Sequence, residues 1–436
     1  FKMASRAFSA AASALAIFFI NSTIAAKSPC FADILRIQLF IKRLGSILEC
    51  RLRHTGANSG RNNKPRRYTT PDVTVSNCIR QESGDTMKAI INAKAVLPNE
   101  ILPNATILVE DDRICAVGQD LPIPEGTQII DADGMWVGPG FVDIHVHGNG
   151  STHRWETGPE SVARHHLLHG TTTMVASMGY SQSPESLLEK TRNVQQKIDA
   201  GLLPNVYAVG FEGPFINPER GANSSAFPRK GPDPAEYLPL YEVCRGKIAQ
   251  WMYAPEMDTD GSFGDFLAQK KLTPAIGHTN ASPAQIRVAV DKGARIATHL
   301  FDAMGCWMGN DSWRITGTTQ DTAAVGCLIC KELTYEIIPD SKGIHVKPSN
   351  MKLTYQLAGP RRICIITDCT YCDYNPADYP KEHFRSTPDL NYNEAEELSG
   401  SLLTMDRAVR NFHKHTGAPV ADLFQMAATT PAEKIG

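Results

Sequence analysis

FVDIHVH, residues 141–147, decides how the rest of the chain is read. Apolar residues dominate the run, and His145 and His147 stand two positions apart within it. Side chains alternate between the two faces of a strand, so a strand here points both imidazoles the same way. Seven more runs of this kind follow. They are TTTMVASM (171–178), NVYAVGFEG (205–213), IAQWMYAPE (248–256), KLTPAIGHT (271–279), ARIATHLF (294–301), LTYEIIPD (333–340) and RICIITD (362–368). Stretches with helical period, such as PESVARHHLLHG and SPAQIRVAVDKG, separate most of them. Short buried-type strands alternating with helices imply a parallel sheet, and eight of them imply an α/β fold closed as a TIM (β/α)8 barrel. An open doubly wound sheet is the alternative, but no GxGxxG follows the first strand.

In such a barrel the reactive groups gather at the C-terminal ends of the strands. Glu212 ends the third predicted strand, His278 the fifth, His299 the sixth and Asp368 the eighth, alongside His145 and His147 on the first. Imidazoles and carboxylates without a thiolate suit a divalent metal: zinc first, iron or manganese as alternatives, as one ion or two. A second HxH, His413 and His415, lies in the helical pattern MDRAVRNFHKHTG, where positions i and i+2 diverge by about 200° and cannot share an ion. That pair reads as a solvated helix end, and His165, His166 and His169 read as surface or packing residues. Asp368 is placed to take a proton from water and return it to a leaving amine. Its alternative is a cap in a strand-to-helix turn.

The sequence changes character at Met87. MKAIINAKAVLPNEILPNATILVEDDRICAVG alternates like short strands broken at two Pro-Asn pairs and at Asp-Asp, which predicts half of a small β-sandwich over 87–140. The barrel then runs over 141–436. Residues 1–86 carry 13 Lys and Arg against 5 Asp and Glu, with no sustained period. This segment reads as a disordered, non-native or targeting extension. Its apolar run ALAIFFI resembles a signal peptide and is too short for a stable membrane-spanning helix. Across all 436 residues the net charge is −2, with 42% hydrophobic residues. Neither nucleic acid nor membrane is implied as a partner. Eleven cysteines in no regular framework fit reduced thiols and a cytoplasmic setting. A zinc ribbon from Cys327/Cys330 and Cys369/Cys372 is the weaker reading, since VGCLIC looks like buried apolar packing.

The motifs PGFVDIHVHG, HGTTTM, GFEGPFINPERGA, IGHTNAS, ATHLFDAM, GIHV, ITD and LSGSLLTMDRAVRN resemble, in order, those of the N-acetylglucosamine-6-phosphate deacetylases of the amidohydrolase superfamily. The likeness runs from about Met87 to Gly436. It implies hydrolysis of the N-acetyl amide of an amino-sugar derivative by a homodimeric, metal-dependent enzyme. Other amidohydrolase chemistry (an N-acyl-amino-acid deacylase or a cyclic amidase) or a catalytically silent truncated paralogue are the alternatives. By position, the resemblance implies that Glu212, His278 and His299 are metal ligands and that His145 and His147 hold a second ion. Asp368 matches the acid/base. Ala222 with Asn223, Asp302 with Ala303, His345, and Leu398, Ser399, Gly400 and Ser401 fall where the family contacts the sugar. Asn223 replaces a usual His, Asp302 a usual Asn, and Cys369 a usual Ala. Asn310 occupies the position of the Arg that grips the sugar phosphate. Arg is the natural bidentate partner of a phosphate and Asn supplies far less, which predicts a weakened preference for the phosphorylated sugar. Relatives continue past TTPAEKIG with strands that complete the sandwich, so the sandwich is expected to be incomplete here.

Overall fold

The computed structural model describes residues 87–98, 100–222, 226–305, 321–372 and 389–436. The described chain forms two compact units that divide at Gly138 and Pro139, two residues before the expected boundary. In the first unit β1 (Lys88–Val96), β2 (Ile101–Glu110) and β3 (Arg113–Gln119) form an antiparallel meander. β4 (Gln128–Asp131) and β5 (Trp136–Val137) pair in parallel with β1, giving one five-stranded sheet. Ile90, Ala93, Ala95, Ile107 and Val109 are its buried core. Asp111-Asp112 is the turn the sequence implied, with Asp111 at φ 53°. The second Pro-Asn pair is a correction: Pro103-Asn104 lies inside β2. The register slips between Ala93↔Ala105 and Ala95↔Leu102, and Asn104 takes φ 49°. A bulge absorbs the break there because Asn tolerates the left-handed region. The 1–86 extension lies outside the described residues.

In the second unit all eight apolar runs are parallel strands, paired in sequence order. They are β6 (Phe141–Val146), β7 (Thr171–Met178), β8 (Val206–Glu212), β9 (Ile248–Tyr253), β10 (Pro274–Ile276), β11 (Ile296–Ala297), β12 (Thr334–Ile337) and β13 (Ile363–Ile365). A parallel bridge between Val146 and Cys369 joins the last strand's extension to the first. Thr367 Oγ1 donates to Asp143 Oδ2 at 2.5 Å across the same seam. The result is a nearly closed TIM barrel whose strands are buried on both sides, which is why they read as continuous apolar runs.

Helices α1 (Pro159–Leu168), α2 (Pro184–Asp199), α3 (Pro234–Val243), α4 (Ser262–Gln269), α5 (Pro283–Asp291), α6 (Ala323–Leu328) and α7 (Pro348–Ala358) return the chain between strands. Proline at the first helical position, already holding a helical φ, starts several of them, often after a capping Ser or Asp. Ser282 and Gln285 form a reciprocal capping box at α5. A hairpin, β14 (Leu390–Tyr392) and β15 (Leu398–Ser401), precedes α8 (Met405–Thr416). His413 and His415 do sit on α8, but not simply solvated: His413 Nδ1 reaches the Ala418 carbonyl and His415 Nε2 that of Asp340, each at 2.8 Å. His166 is fully buried against the Gly148 carbonyl. Cys327, Cys330 and Cys369 are buried free thiols outside every metal-competent cluster of the described residues. No helix among the described residues is long and apolar enough to cross a membrane.

Candidate metal centre

Period-two alternation carries His145 and His147 to one side of β6, where their Nε2 atoms lie 3.1 Å apart. Glu212, the last residue of β8, meets both clusters of donors. Its Oε1 lies 2.8 Å from His278 Nε2 and 3.2 Å from His299 Nε2, and its Oε2 lies 3.1 Å from His147 Nε2. Asp368 Oδ1 closes the group at 3.4 Å from His147 Nε2 and 3.7 Å from His145 Nε2. The structure thus brings together all six residues that the strand ends suggested: His145, His147, Glu212 and Asp368 in one group, Glu212, His278 and His299 in the other.

Three of them stand just beyond short strands in the left-handed region: His278 at φ 45°, His299 at φ 29° and Asp368 at φ 47°. Non-glycine residues there store strain, and such residues cluster at functional sites. Glu256 stiffens the His278 loop by accepting from Thr279 Oγ1, the Asn280 N–H and Asn217 Nδ2. Gly221 (φ +94°) backs the ring; a Cβ there would come within 2.4 Å of His278 Nδ1.

Hydrogen bonding decides what the cluster wants at its centre. His278 Nδ1 faces the Arg220 carbonyl and His299 Nδ1 the Asp302 carbonyl, each at 3.1 Å. A carbonyl only accepts, so both Nδ1 atoms carry hydrogens. In a neutral ring the Nε2 lone pair then faces a Glu212 oxygen that is also an acceptor. Two acceptors at such distances need a cation between them, a proton or a metal ion. The donor set therefore fits a divalent metal, with imidazole and carboxylate ligands and their outer nitrogens anchored. Protonation is the other way to meet the demand. Burial opposes charge on His147 and His299, yet Glu212, Asp368 and, for His299, Asp302 hold both up at about 9. Burial likewise works against the ionised Glu212 and Asp368, but the surrounding imidazoles keep both carboxyls below their ordinary values.

Behind the cluster lie residues that sequence reasoning missed. Glu336, on β12 and fully buried, accepts from His145 Nδ1 at 3.0 Å. Gln250 Nε2 donates to Glu336 Oε1 at 3.0 Å and to the Ile144 carbonyl at 2.9 Å. Burial pushes the carboxyl of Asp143 up to about 7, against the hydroxyl and N–H bonds it receives. A Glu within LTYEIIPD and an Asp within FVDIHVH are charges inside apolar strands, a signal that was present in the sequence.

The cluster forms the floor of a cavity of about 510 Å³. Ala222, Asp302, Ala303, Leu398, Ser399 and Gly400 line it as expected. His345 and Ser401 are behind its wall instead. His345 spans Asp340 Oδ2 and the Gly400 carbonyl, both at 3.1 Å, and Ser401 Oγ donates to the Thr367 carbonyl. Asn223 and Asn310 lie outside the described residues. Tyr180 and Arg154 were not anticipated: Tyr180 meets the His278 ring edge-on, and the Arg154 guanidinium lies 3.7 Å over the Tyr371 ring. Among the described lining residues Arg154 is the one Lys or Arg. Both come from loops, where the sequence carries no periodicity to interpret.

No protein-family model matches the chain. It is 29% identical over 331 residues to the N-acetylglucosamine-6-phosphate deacetylase of Rattus norvegicus, covering 70% of this chain and 76% of the relative. Against the enzyme of that name from Lysinibacillus sphaericus it is 25% identical, covering 76% and 84%. Among solved structures, the N-acetyl-D-glucosamine-6-phosphate deacetylase of Mycobacterium smegmatis, in complex with N-acetyl-D-glucosamine-6-phosphate, superimposes with a TM-score of 0.65 at 26% identity. That match covers 80% of this chain and 91% of the other.

Proposed function

We propose that this chain, which belongs to the N-acetylglucosamine-6-phosphate deacetylase family of the amidohydrolase superfamily, hydrolyses the N-acetyl amide of an amino sugar to acetate and the free amine. One observation carries the reading. A carboxylate is clasped between imidazole Nε2 lone pairs whose outer nitrogens are already committed, with a second carboxylate facing it across the floor of a sugar-sized cavity. In this proposal Glu212, His278 and His299 would hold one zinc ion, and His145 and His147, beside Glu212, would hold a second, leaving Asp368 free as the acid/base. Bound there, a divalent ion polarises the amide carbonyl and acidifies water.

The chain's own residues do the rest. Asp368 Oδ1 accepts the proton of the attacking water and passes it to the amide nitrogen, which leaves as the amine. Ala222, Ala303 and the Leu398–Gly400 segment shape the pocket that positions the sugar. The lower polarity of the buried floor strengthens each of these electrostatic contacts. The homodimer implied by the family resemblance is part of this proposal.

Cyclic amidases that join their ions through a modified lysine are disfavoured, because Glu212 is the residue common to both donor groups and no lysine is among the described lining residues. The test is a substrate panel on protein stripped with a chelator and reloaded with zinc. Acetate release from N-acetylglucosamine or its 6-phosphate, dependent on the ion, is expected. Turnover confined to N-acetylated amino acids or cyclic amides would overturn the proposal.

A further inference from the structure

We propose that Glu336 is a positioning residue that fixes the tautomer of His145 and thereby decides whether the site takes a second ion. This deepens the metal-dependent reading above and rests on it. The hydrogen bonds behind His145 form a chain with only one consistent set of directions. The Ile144 carbonyl can only accept, so Gln250 presents its Nε2 there at 2.9 Å. The same Nε2 then supplies its other hydrogen to Glu336 Oε1 at 3.0 Å. The Gln250 amide is not free to turn, because both partners of its nitrogen are acceptors, even though its buried Oε1 has no partner of its own. Glu336 Oε2 faces His145 Nδ1 at 3.0 Å and receives that hydrogen. In the neutral ring the lone pair is left on Nε2, the atom that points at His147, Glu212 and Asp368. A histidine with the hydrogen on Nε2 instead would present a donor to the site and could not bind an ion through that atom. Glu336 is fully buried, so water cannot replace it as the acceptor.

Glu336→Gln separates this role from mere packing, because it preserves shape while changing which atoms donate. Gln250 still demands an acceptor, so the new amide turns its oxygen to Gln250 and its NH2 to His145 Nδ1. Nδ1 becomes the acceptor and the hydrogen moves to Nε2. The expected result is that the second ion's affinity falls by at least about 10- to 100-fold, as for loss of an outer-shell partner, while the first ion remains. A second substitution should reverse the effect. In Glu336→Gln with Gln250→Leu nothing pins the new amide, its oxygen can turn to His145 Nδ1, and the second ion returns. A role in packing alone predicts the opposite, since two substitutions in one buried network should do more damage than one.

The measurements are zinc per chain by elemental analysis across a titration, and the 15N shifts of the His145 ring in the zinc-loaded wild type, where a ring bound through Nε2 cannot be doubly protonated. Protonated-type Nδ1 in the wild type, loss of the second ion in the single variant and its return in the double variant support the inference. A lone-pair shift at Nδ1 in the wild type overturns it without any variant having to fold. So does undiminished uptake of the second ion by Glu336→Gln, or a wild type that takes only one. A wild type that binds no ion at all would overturn the metal-dependent reading itself, a result distinct from these.

Discussion

The two halves of the cluster are held by different means. His278 and His299 hang on main-chain carbonyls, those of Arg220 and Asp302, whereas His145 hangs on the Glu336 side chain and, through it, on Gln250. A backbone-held imidazole is insulated from most side-chain substitutions but exposed to anything that moves the main chain. A side-chain-held imidazole has the opposite weakness. One half of this site can therefore be lost by a single polar exchange, while the other needs a change in the path of the chain.

The largest expected effect lies on the side-chain-held half. Asp368→Asn keeps the shape and removes the proton acceptor, so turnover should fall by about 10²- to 10⁴-fold while zinc content stays unchanged. Near-normal turnover would reduce Asp368 to a strand-end cap.

The next concerns the cavity beyond the cluster, where Asp302 brings a negative charge and Arg154 a positive one. The 6-phosphate should be preferred over unphosphorylated N-acetylglucosamine by less than about a hundredfold in kcat/KM, because Arg154 offers one charge-assisted partner worth about 1.5–3 kcal/mol. Arg154→Ala should abolish most of that preference. A preference that survives the substitution would show that Arg154 is not the phosphate contact.

Gly221→Ala probes the backbone-held half. Its methyl would approach within 2.4 Å of His278 Nδ1 from a φ of +94°. A loss of about 1–3 kcal/mol in a denaturant titration is expected, with weaker ion uptake at Glu212, His278 and His299. Unchanged stability and uptake would show that this segment yields easily and that the contrast between the halves is shallow.

The smallest effect comes from the cavity wall. Burial alone would raise Asp340, yet the His345 imidazole and the N–H groups of Ile344 and His345 hold it down at about 2, from an ordinary 3.8. A depressed acid stabilises the fold above its unfolded pKa, and that contribution is lost as pH falls through about 2. His345 is raised above 6.5, so its share is present below 6.5 and is lost as pH climbs past its folded value. The Tm gap between wild type and Asp340→Asn should be widest between about pH 4 and 6.5, reaching about 2–4 °C. A gap that does not vary with pH would mean that Asp340 acts only as a neutral hydrogen-bond acceptor.

The eight strands, their order and the six residues that converge at the barrel's end are all legible in the amino-acid sequence. Strand burial imposes apolar runs, and the strand period dictates which side His145 and His147 share, so both features are written locally. The rest depends on contacts made only in the folded chain. His345 and Ser401 look like cavity residues in the sequence, but the chain turns them behind its wall, onto Gly400 and Thr367. Glu336 and Gln250 are 86 residues apart and become one hydrogen-bonded unit only when β9 and β12 face each other inside the barrel. Strand boundaries shifted for the same reason. His299 and Phe301, predicted within a strand, occupy φ 29° and 77°, so β11 stops at Ala297. Hydrogen-bond direction and left-handed backbone depend on partners distant in sequence, and no local pattern of residue types encodes them.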